Sequence, residues 1–572
     1  MNLKFFTHSI RREWLISIIA ILSLYISLLY GMPSVVPTSG YDDDLFIGQA
    51  LSIVSGNWLA DKYGLLTLVK GPYHSIQIGL LSIFGIPPLL GLRIFYAASC
   101  AFFCSVALRK LPTFLKSLAL VSLLFDPVLL GTWNGWRLLR ENTYVSIEVL
   151  ALAFGIYSLD CLASFQKLGQ SGLVLRKNKK LIVSLIITYF CLGILMITRE
   201  GRVTVVFSAL TYTILLLNQC RRHTIVFKRS FAKLAAFSLA LIVCFNLPIA
   251  SVKILNYANY GLAISNEYEE GEFKSFYQNL TSVQLVDGQH APSIPIKEDV
   301  IGTIISLSGV SKLGNTLSNL NEGWKAPGCV FDKAWCNEYA AGWFMWALRQ
   351  SIFETFRIVR PVDFQNQILN LNAELREICN SHPDVLNCHL SSYGYLPYPS
   401  RWVSSGESLF DALLDTTVSH VSFLLAPDGF KYGESTQSDE NAKAIGVLLT
   451  SDKTAIELDK YNQRLLGFNE FGSLLRKSLL VSFFAVLIIL LVRRRGLMAC
   501  LCSSGLVFIA AMFLSNFMVI VLVQVTSFPS SIYLTMVSPL ATLFIWRFYD
   551  RLYKAIDGDF SVISANSRKA SS

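Results

Sequence analysis

Three consecutive aspartates, Asp42, Asp43 and Asp44, follow the first long apolar stretch of the chain and precede an apolar-rich helix. Carboxylates beside a lipid-embedded surface are costly, so they are usually functional. A carboxylate here could take the proton from an acceptor hydroxyl or amine, or hold a divalent metal such as Mg²⁺ or Mn²⁺. The alternative is helix capping, because an acid at a helix N-terminus favours the helix dipole. A cap among the three does not exclude a base among the other two.

Basic side chains recur near the same predicted membrane face. Lys70 lies in TLVKGPYHS, where Gly-Pro predicts a tight turn that aims the lysine, with His74 close by. Arg137, Arg140 and Glu141 lie between two apolar segments in GTWNGWRLLRENTY. The planar guanidinium of arginine donates two hydrogen bonds to one phosphate, which predicts an anion site. Interfacial anchoring by Arg and Trp is the alternative.

A further turn, MITREGRVT, places Arg199, Glu200 and Arg202 between two apolar segments. Two arginines against one acid depart mildly from the rule that basic loops face the cytoplasm, and anion binding would explain the departure. A local Arg–Glu pair is the alternative. Acids and cations at one surface suit a donor with a phosphate leaving group, because the cations stabilise developing charge while the acid activates the attacking group. The sequence contains no Walker-type loop or nucleophile elbow that would indicate ATP use or a serine hydrolase.

The composition places these residues in a membrane protein. The chain has 572 residues, of which 53% are hydrophobic and only 15% charged, whereas soluble domains carry about 25% charged residues. The net charge of +10 does not indicate nucleic-acid binding, because the basic residues cluster between apolar segments. We therefore predict a mainly α, polytopic protein of an inner or plasma membrane.

The order of apolar and basic segments predicts the topology. About ten stretches approach the roughly 20 residues that span a membrane: 14–31, 91–108, 115–131, 143–163, 181–198, 203–218, 234–250, 476–492, 498–524 and 529–546. The strongly basic short segments then all fall on one face, with both termini cytoplasmic. Residues 74–90 are omitted because counting them would reverse every later helix. Pro87 and Pro88 favour a juxtamembrane or re-entrant helix, and an ordinary span is the alternative.

Three parts follow from this topology: a membrane part, 1–250, with outer loop one at 32–90; a non-cytoplasmic region, 251–475, between spans seven and eight; and C-terminal membrane helices with a cytoplasmic tail, 476–572. The inserted region (251–475) mixes helical patterns with loops and leans towards helix. It contains four cysteines that are disulfide candidates: Cys329, Cys336, Cys379 and Cys388. Pairs between sequence neighbours are the simplest arrangement on an oxidising face, and a metal site is the weaker alternative.

Several motifs, in this order and sidedness, resemble those of the GT-C glycosyltransferases. These polytopic enzymes use polyprenyl-phosphate-linked sugars and include the protein O-mannosyltransferases and the aminoarabinose transferases. The resemblance covers roughly the first 250 residues and lies in Tyr41–Asp44, Lys70–Tyr73, Arg93 and Arg137–Glu141. The segments KGP, TREG and FMWALR also look like those of bacterial membrane proteins related to this superfamily, which favours a bacterial envelope enzyme.

The resemblance implies an inverting glycosyltransferase that moves a sugar from a polyprenyl-phosphate donor to an envelope polysaccharide, lipid or protein. One of the three aspartates would be the base, and some members of the superfamily also need a divalent metal. Expected phosphate-binding residues are Lys70, Arg137, Arg140, Arg199 and Arg202, and expected supporting residues are Tyr41, His74, Glu141 and Glu200. A transporter or flippase for a lipid-linked glycan and a non-catalytic envelope assembly protein are the alternatives. The unequal halves disfavour the transporter.

Overall fold

A computed structural model gives the fold of most of the chain. It describes residues 12–36, 41–167, 179–199, 202–221, 231–286, 288, 294–331, 333–388, 409–425, 427, 429–432, 439–493, 501, 503–526 and 533–570. The part of the chain that the structure describes is mainly α. The β structure within the described part is one pair of short strands and two isolated bridges.

Within these ranges, eight helices are long and apolar enough to cross a membrane. The candidate spans are Arg12–Leu29, Pro88–Ala107, Thr113–Gly131, Glu141–Ser164, Lys179–Thr198, Ser238–Tyr260, Ala455–Leu491 and Ser504–Val521. The chain is therefore a multi-pass membrane protein. Helices also cover 203–218 and most of the stretch predicted at 529–546, but neither is among the eight. Charged and amide side chains near the ends of both helices lower their apolar content.

The helices and strands are numbered here in chain order. The first part contains α1 Arg12–Leu29, α2 Tyr41–Val54, α3 Tyr73–Ile83, α4 Pro88–Ala107, α5 Thr113–Leu124, α6 Pro127–Gly131, α7 Glu141–Lys167, α8 Lys179–Thr198, α9 Arg202–Arg221 and α10 Phe231–Tyr260. The remainder contains α11 Glu272–Thr281, β1 Val283–Leu285, α12 Glu298–Ser308, α13 Lys312–Ser318, α14 Ala326–Phe331, α15 Trp343–Phe356, α16 Pro361–Ser381, β2 Leu386–Cys388, α17 Leu409–Leu425, α18 Glu440–Ala444, α19 Ala455–Arg493, α20 Ser504–Thr526 and α21 Leu534–Ala570.

The apolar stretch 74–90 does not form one continuous helix. Helix α3 has 11 residues and ends at Ile83, and α4 begins at Pro88. A helix of 11 residues is about 17 Å long, which is too short for a hydrocarbon layer of about 30 Å. Proline at the first position of α4 fits the unsatisfied backbone donors of a helix start. The arrangement agrees with a juxtamembrane helix that leads into the second span.

Helix α7 lies at the centre of the membrane part, packed against α4, α8, α20 and α21. Its buried polar side chains have partners, as burial in an apolar medium requires. Glu148 accepts a hydrogen bond of 2.6 Å from the amide of Asn516. Asp160 accepts from Arg547 at 2.7 Å through both carboxylate oxygens. Asp160 lies about 28 Å along the helix from Glu141, since an α-helix rises about 1.5 Å per residue, so α7 carries engaged carboxylates at both ends.

Helices α8 and α10 cross at a glycine. A Cβ at Gly193 would lie 2.1 Å from the backbone oxygen of Phe245. Only glycine permits this approach of two backbones, as at many membrane-helix contacts. The crossing fixes the end of α8 that leads to Arg199, one of the predicted anion-binding residues.

The inserted region is built from short helices and one antiparallel strand pair. In that pair, Val283 of β1 lies opposite Cys388 of β2. The structure contains disulfides Cys329–Cys336 and Cys379–Cys388. The second disulfide ties the end of β2 to α16, so it holds the small sheet against the longest helix that lies wholly inside this region.

Outer loop one is joined by backbone hydrogen bonds to the inserted region and to the loop between α6 and α7, 132–140, which is called the second loop. Ser34 N donates to the backbone oxygen of Leu448 at 2.6 Å, and Val35 N donates to that of Trp136 at 2.8 Å. These bonds bring three segments that are distant in sequence to one end of the helix bundle. The predicted site residues lie on these segments and on the neighbouring helix ends.

Candidate active site

Asp42 and Lys70 form an ion pair at the centre of the candidate site. Asp42 lies in the first turn of α2, and Lys70 lies in the loop before α3. Lys70 Nζ is 2.6 Å from both carboxylate oxygens of Asp42. The Asp42 side chain is 34% exposed and the Lys70 side chain 10% exposed. An acid and a cation are thus held in contact, with the acid still reachable from outside.

The charges around Asp42 determine its protonation. Burial raises the pKa of this carboxyl, but Lys70, Arg140 and Arg137 outweigh burial and leave the pKa below the ordinary value of 3.8. Asp42 is therefore a carboxylate at neutral pH. Removing or diverting the lysine would raise the basicity of Asp42, because its largest opposing influence would be lost.

Asp43 is fully buried and paired with Arg137. The carboxylate accepts from Nε of Arg137 at 3.2 Å and also from Nη2. The guanidinium carbon lies 4.3 Å from the ring centre of Trp133. Burial raises the pKa of Asp43 to about 6, while the guanidinium opposes the rise. The pair connects the start of α2 to the second loop, and it occupies the fork that was predicted to bind phosphate.

Asp44 points to a different environment, although it is the next residue. Its side chain is exposed, and burial together with Asp439 raises its pKa. Tyr41 lies in α2, but its side chain is outside the described residues, as is the whole of Glu200. The three aspartates thus separate into a cation-paired acid within reach of solvent, a buried structural acid and an exposed acid.

A second charged group lies at the start of α7. The Glu141 carboxylate is 4.0 Å from Nε of Arg140 and 3.9 Å from Nε of Arg199. Glu141 is in the first turn of α7, where the helix dipole favours an acid. Arg199 directly follows α8, so the ends of two membrane helices meet through these three side chains.

Tyr533 links this group to Asp42. The guanidinium carbon of Arg199 lies 4.1 Å from the ring centre of Tyr533, and Nη1 of Arg199 is 2.7 Å from the sulfur of Met536. Arg140, Glu141 and Asp42 also act electrostatically on the Tyr533 hydroxyl. Tyr533 is not among the site residues predicted from the sequence. Its position at the predicted outer end of the last span was the available signal, because tyrosine is enriched at membrane interfaces.

The backbone next to Lys70 is fixed from the membrane side by Gly71. A Cβ at Gly71 would lie 2.0 Å from the backbone oxygen of Ile197, near the end of α8. The loop that carries Lys70, residues 55–72, is called the lysine loop. Glycine is therefore required where the lysine loop crosses α8. Because Arg199 follows Ile197 by two residues, the crossing sets the loop that carries Lys70 against the segment that carries Arg199.

The same loop is fixed from the other side by a buried arginine of the inserted region. Arg349 donates to the backbone oxygens of Leu65 at 2.7 Å and Thr67 at 3.0 Å. Its Nη2 is 2.7 Å from Glu267, and both side chains are 0% exposed. Tyr63 donates to the same carboxylate at 2.7 Å. Arg349 ends the segment FMWALR, which resembles segments of bacterial membrane proteins. The sequence predicted no role for this arginine.

Trp346 brings the inserted region into contact with the site itself. Lys70 Nζ lies 5.8 Å from the centre of the Trp346 ring, which stacks at 6.5 Å on Trp324. Trp346 is buried, so its main role is in the core of this region. Its cation–π contact nevertheless restricts Lys70.

His74 and Arg202 are not brought to the Asp42 group. His74 is buried, with Nε2 2.9 Å from the backbone oxygen of Leu138 and Nδ1 2.7 Å from the Thr143 hydroxyl. Burial lowers the pKa of His74 to about 4, so the ring is neutral and structural. Arg202 instead pairs with Glu269 and Glu270 of the inserted region, both at 2.8 Å.

Comparisons with solved structures find several similar chains, of which two are described here. The chain is similar to ArnT from Cupriavidus metallidurans bound to undecaprenyl phosphate, with a TM-score of 0.31 and 14% identity over 95% of this chain and 79% of that chain. It is also similar to the S. cerevisiae protein O-mannosyltransferase Pmt1-Pmt2 complex bound to the sugar donor, with a TM-score of 0.30 and 13% identity over 45% of this chain and 34% of that chain. No protein-family model and no curated protein matches the chain.

Both solved structures are GT-C members, an aminoarabinose transferase and a protein O-mannosyltransferase. TM-scores near 0.3 do not carry an assignment of activity or of site residues. The function proposed below rests on the geometry of this chain.

The donor set around Asp42 does not fit a divalent metal. Mg²⁺ and Mn²⁺ prefer several oxygen ligands, but both oxygens of Asp42 lie 2.6 Å from a lysine nitrogen, and Asp43 is occupied by Arg137. A divalent ion there would be repelled by two cations. Among the described residues, no group of three or more His, Cys, Asp or Glu side chains is arranged to hold a metal. No step proposed below uses a metal.

The assembled site has an excess of positive charge. Three carboxylates, Asp42, Asp43 and Glu141, lie among four cations: Lys70, Arg137, Arg140 and Arg199. All of these residues are at helix ends or in loops beside the helix bundle. The arrangement is suited to holding a phosphate group next to a carboxylate that can accept a proton.

Proposed function

We propose that the chain is an inverting glycosyltransferase that moves a sugar from a polyprenyl-phosphate donor to a cell-envelope polysaccharide, lipid or protein. The observation that carries the proposal is the Lys70–Asp42 contact of 2.6 Å beside the Arg140–Glu141–Arg199 group. It joins a proton acceptor and phosphate-binding cations at one end of a membrane helix bundle. The topology predicted from the basic loops puts this end on the non-cytoplasmic side, with both termini in the cytoplasm.

Lys70, Arg140 and Arg199 are the proposed ligands of the donor phosphate. Each lies within the charged cluster, next to Asp42 or Glu141. Their charges stabilise the negative charge that the phosphate gains as the sugar leaves. The lipid tail of the donor would lie among the membrane helices, whose ends carry these residues.

Asp42 is the proposed base. It is the only one of the three aspartates that both lies beside the proposed phosphate ligands and is partly exposed. The raised pKa of Asp43 would suit a base, but its carboxylate is buried and occupied by Arg137. Geometry takes precedence over pKa in choosing a base, because the group must first reach the proton.

In the proposed reaction, the acceptor oxygen attacks the anomeric carbon from the face opposite the phosphate. The new carbon–oxygen bond forms as the bond to the phosphate oxygen breaks. That bond's electron pair leaves on the polyprenyl phosphate, and the acceptor proton passes to Asp42. A phosphate leaving group needs little protonation, so a separate general acid is not required. A single displacement of this kind inverts the anomeric configuration.

Donor binding would also activate the base. When the phosphate takes Lys70 as a ligand, the lysine contact that lowers the pKa of Asp42 weakens, and burial then raises that pKa. Asp42 thus becomes more basic only when a donor is bound. This coupling would limit loss of the donor to water in its absence.

The test is transfer or slow hydrolysis of a panel of polyprenyl-phosphate sugars by purified protein. General bases contribute about 100-fold to 10,000-fold, so Asp42→Asn is expected to lower turnover by about 100-fold or more. Asp61→Asn is the matched control, because Asp61 is exposed and bonds only to Asn57 among the described contacts. Lys70→Ala is expected to raise KM for the donor, with Lys62→Ala, an exposed lysine, as its control.

The result also separates the alternatives. Full turnover in Asp42→Asn, Asp43→Asn, Asp44→Asn and the triple variant would refute an aspartate base. Donor binding without turnover under any acceptor condition would favour a carrier of lipid-linked glycans. Absence of donor binding would favour a non-catalytic assembly role.

A further inference from the structure

A second charged cavity lies behind the loop that carries Arg137. It has a volume of about 280 Å³ and lies between the end of α1, the start of α4 and the segment before α19. Arg93 and Lys453 supply its charge, and Leu29, Leu89, Leu90 and Trp136 supply much of its apolar wall. Trp136 lines this cavity, whereas Arg137 beside it pairs with Asp43, so the cavity and the candidate active site lie against adjacent residues of one loop.

Arg93 carries a buried charge that the described residues do not neutralise. It is 2% exposed, and its Nη2 donates to the backbone oxygens of Leu129 at 3.0 Å and of Gly135. Its Nε is buried without a hydrogen-bond partner. No ion pair joins Arg93 to a described carboxylate, and the acid in its vicinity, Asp126, is bound to Arg476. A buried charge without a counter-charge is costly, which indicates a missing anion.

The cavity lies near the start of α4, the second candidate span. Arg93 follows Pro88, the first residue of α4, by five positions, or about 8 Å along the helix axis. A bilayer has about 30 Å of hydrocarbon and about 40–45 Å with its headgroups, so this depth is near the boundary of the two layers. Tyr30, on the rim, is 71% exposed, as is typical of an aromatic residue at a membrane interface.

We infer that this cavity binds the phosphate headgroup of a membrane lipid, with Arg93 and Lys453 as its cations and the α1–α4 wall against the start of the lipid chains. The volume equals roughly nine waters at about 30 Å³ each, enough for a phosphate and the first chain carbons. The site is separate from the proposed donor site and does not depend on the proposed activity. The lipid bound in this site is not a substrate of the proposed reaction.

Lys453→Glu is the main test, because Lys453 is partly exposed and has no hydrogen bond from its side chain among the described contacts. Arg93 variants are less suitable, since Arg93 also holds the 129–135 backbone. Lys460→Glu, which changes an exposed lysine near the start of α19 and outside the cavity, is the matched control for charge. Leu90→Trp, which fills the cavity without changing its charge, is the second variant.

All proteins carry Lys70→Ala, so that binding at the proposed donor phosphate site is weakened equally. Short-chain phosphatidic acid is titrated in detergent, with bound lipid counted by native mass spectrometry. We expect one phosphatidic acid whose affinity falls about tenfold in Lys453→Glu and in Leu90→Trp but not in Lys460→Glu, since a charged hydrogen bond contributes about that factor.

Three outcomes would overturn the inference. Equal affinity in Lys453→Glu and Lys460→Glu would exclude the cavity as the site. Equal binding of diacylglycerol with the same chains would exclude recognition of the phosphate. Equal binding of inorganic phosphate would exclude a role for the lipid chains. Loss of turnover in the Asp42 variants has no bearing on any of these results.

Discussion

Replacing Arg349 with methionine is expected to destabilise the inserted region and to loosen the loop that carries Lys70. Methionine keeps most of the length and apolar volume of the side chain but removes its charge and donors. The change deletes the hydrogen bonds to the backbone oxygens of Leu65 and Thr67 and the 2.7 Å ion pair with Glu267. It also leaves the Glu267 carboxylate buried beside the Tyr63 hydroxyl without a cation.

The magnitude follows from the burial of the pair. Both side chains are 0% exposed, and removing one partner of a buried ion pair costs about 3–5 kcal/mol. For a unit of 150–250 residues, about 1 kcal/mol shifts Tm by about 2–4 °C. If the inserted region, 251–475, unfolds as a unit, Arg349→Met is expected to lower its Tm by about 6–20 °C. Most of this cost comes from the unpaired carboxylate and not from the lost pair itself.

Thermal unfolding of three variants tests whether the loss of stability comes from the unpaired Glu267 carboxylate. Glu267→Gln combined with Arg349→Met removes the orphan charge, so the double variant is expected to be more stable than Arg349→Met alone. Arg360→Met is the control, because Arg360 pairs with Asp363 at 2.7 Å on an exposed surface, where a salt bridge contributes little. Its Tm is expected to stay unchanged.

The functional readout separates positioning from stability. Below the Tm, Arg349→Met is expected to raise KM for the donor more than it lowers kcat, because Lys70 loses its fixed backbone while Asp42 is retained. Arg349→Lys is expected to recover part of the stability that Arg349→Met loses. Its KM for the donor is expected to stay raised, since lysine cannot make both carbonyl contacts and the ion pair. An unchanged Tm in Arg349→Met, or a double variant as unstable as the single one, would refute the reasoning.

The protonation states and ion pairs of the site allow three more predictions. Lys70 helps hold the pKa of Asp42 below 3.8. Lys70→Met is therefore expected to shift the acidic limb of the turnover–pH profile to higher pH. An unshifted limb would exclude Asp42 as the titrating base. Arg202→Ala is expected to leave donor KM within about twofold, because its partners are Glu269 and Glu270; a large rise in KM in the same titration would contradict this. His74 is neutral in the fold with its pKa lowered from 6.5 to about 4, so its contribution to stability is complete above pH 6.5 and is lost as pH falls towards 4. His74→Gln should therefore flatten the decline of Tm over this interval, and an unchanged slope would contradict the assignment.

The sequence identified most of the charged residues but not their partners. Asp42 and Lys70 were both predicted to be functional, yet nothing in their spacing showed that they touch. Neighbouring residues on a helix point about 100° apart, so three adjacent aspartates must face different surroundings. Which of them meets Lys70, which meets Arg137 and which meets solvent depends on the rotation of α2, and that rotation is set by tertiary packing.

The buried Arg349–Glu267 pair of the inserted region carried no usable sequence signal. Arg349 and Glu267 are separated by 82 positions, and each alone resembles an ordinary surface charge. Their burial becomes visible only when α15 is placed against the lysine loop. Arg202 shows the opposite case, because it shares a turn with Arg199 in the sequence but points from the start of α9 to Glu269 and Glu270.

The lysine loop also indicates why the inserted region and the helix bundle belong to one site. At Gly71 the loop is in contact with the end of α8, and at Leu65 and Thr67 it is held by Arg349. Between these points Leu68 has a φ of 57°, in the left-handed region that non-glycine residues seldom adopt. Its backbone oxygen accepts a hydrogen bond of 2.7 Å from Glu267 N. A strained residue persists only where its surroundings fix it, so the conformation that presents Lys70 to Asp42 requires the inserted region as well as the membrane helices.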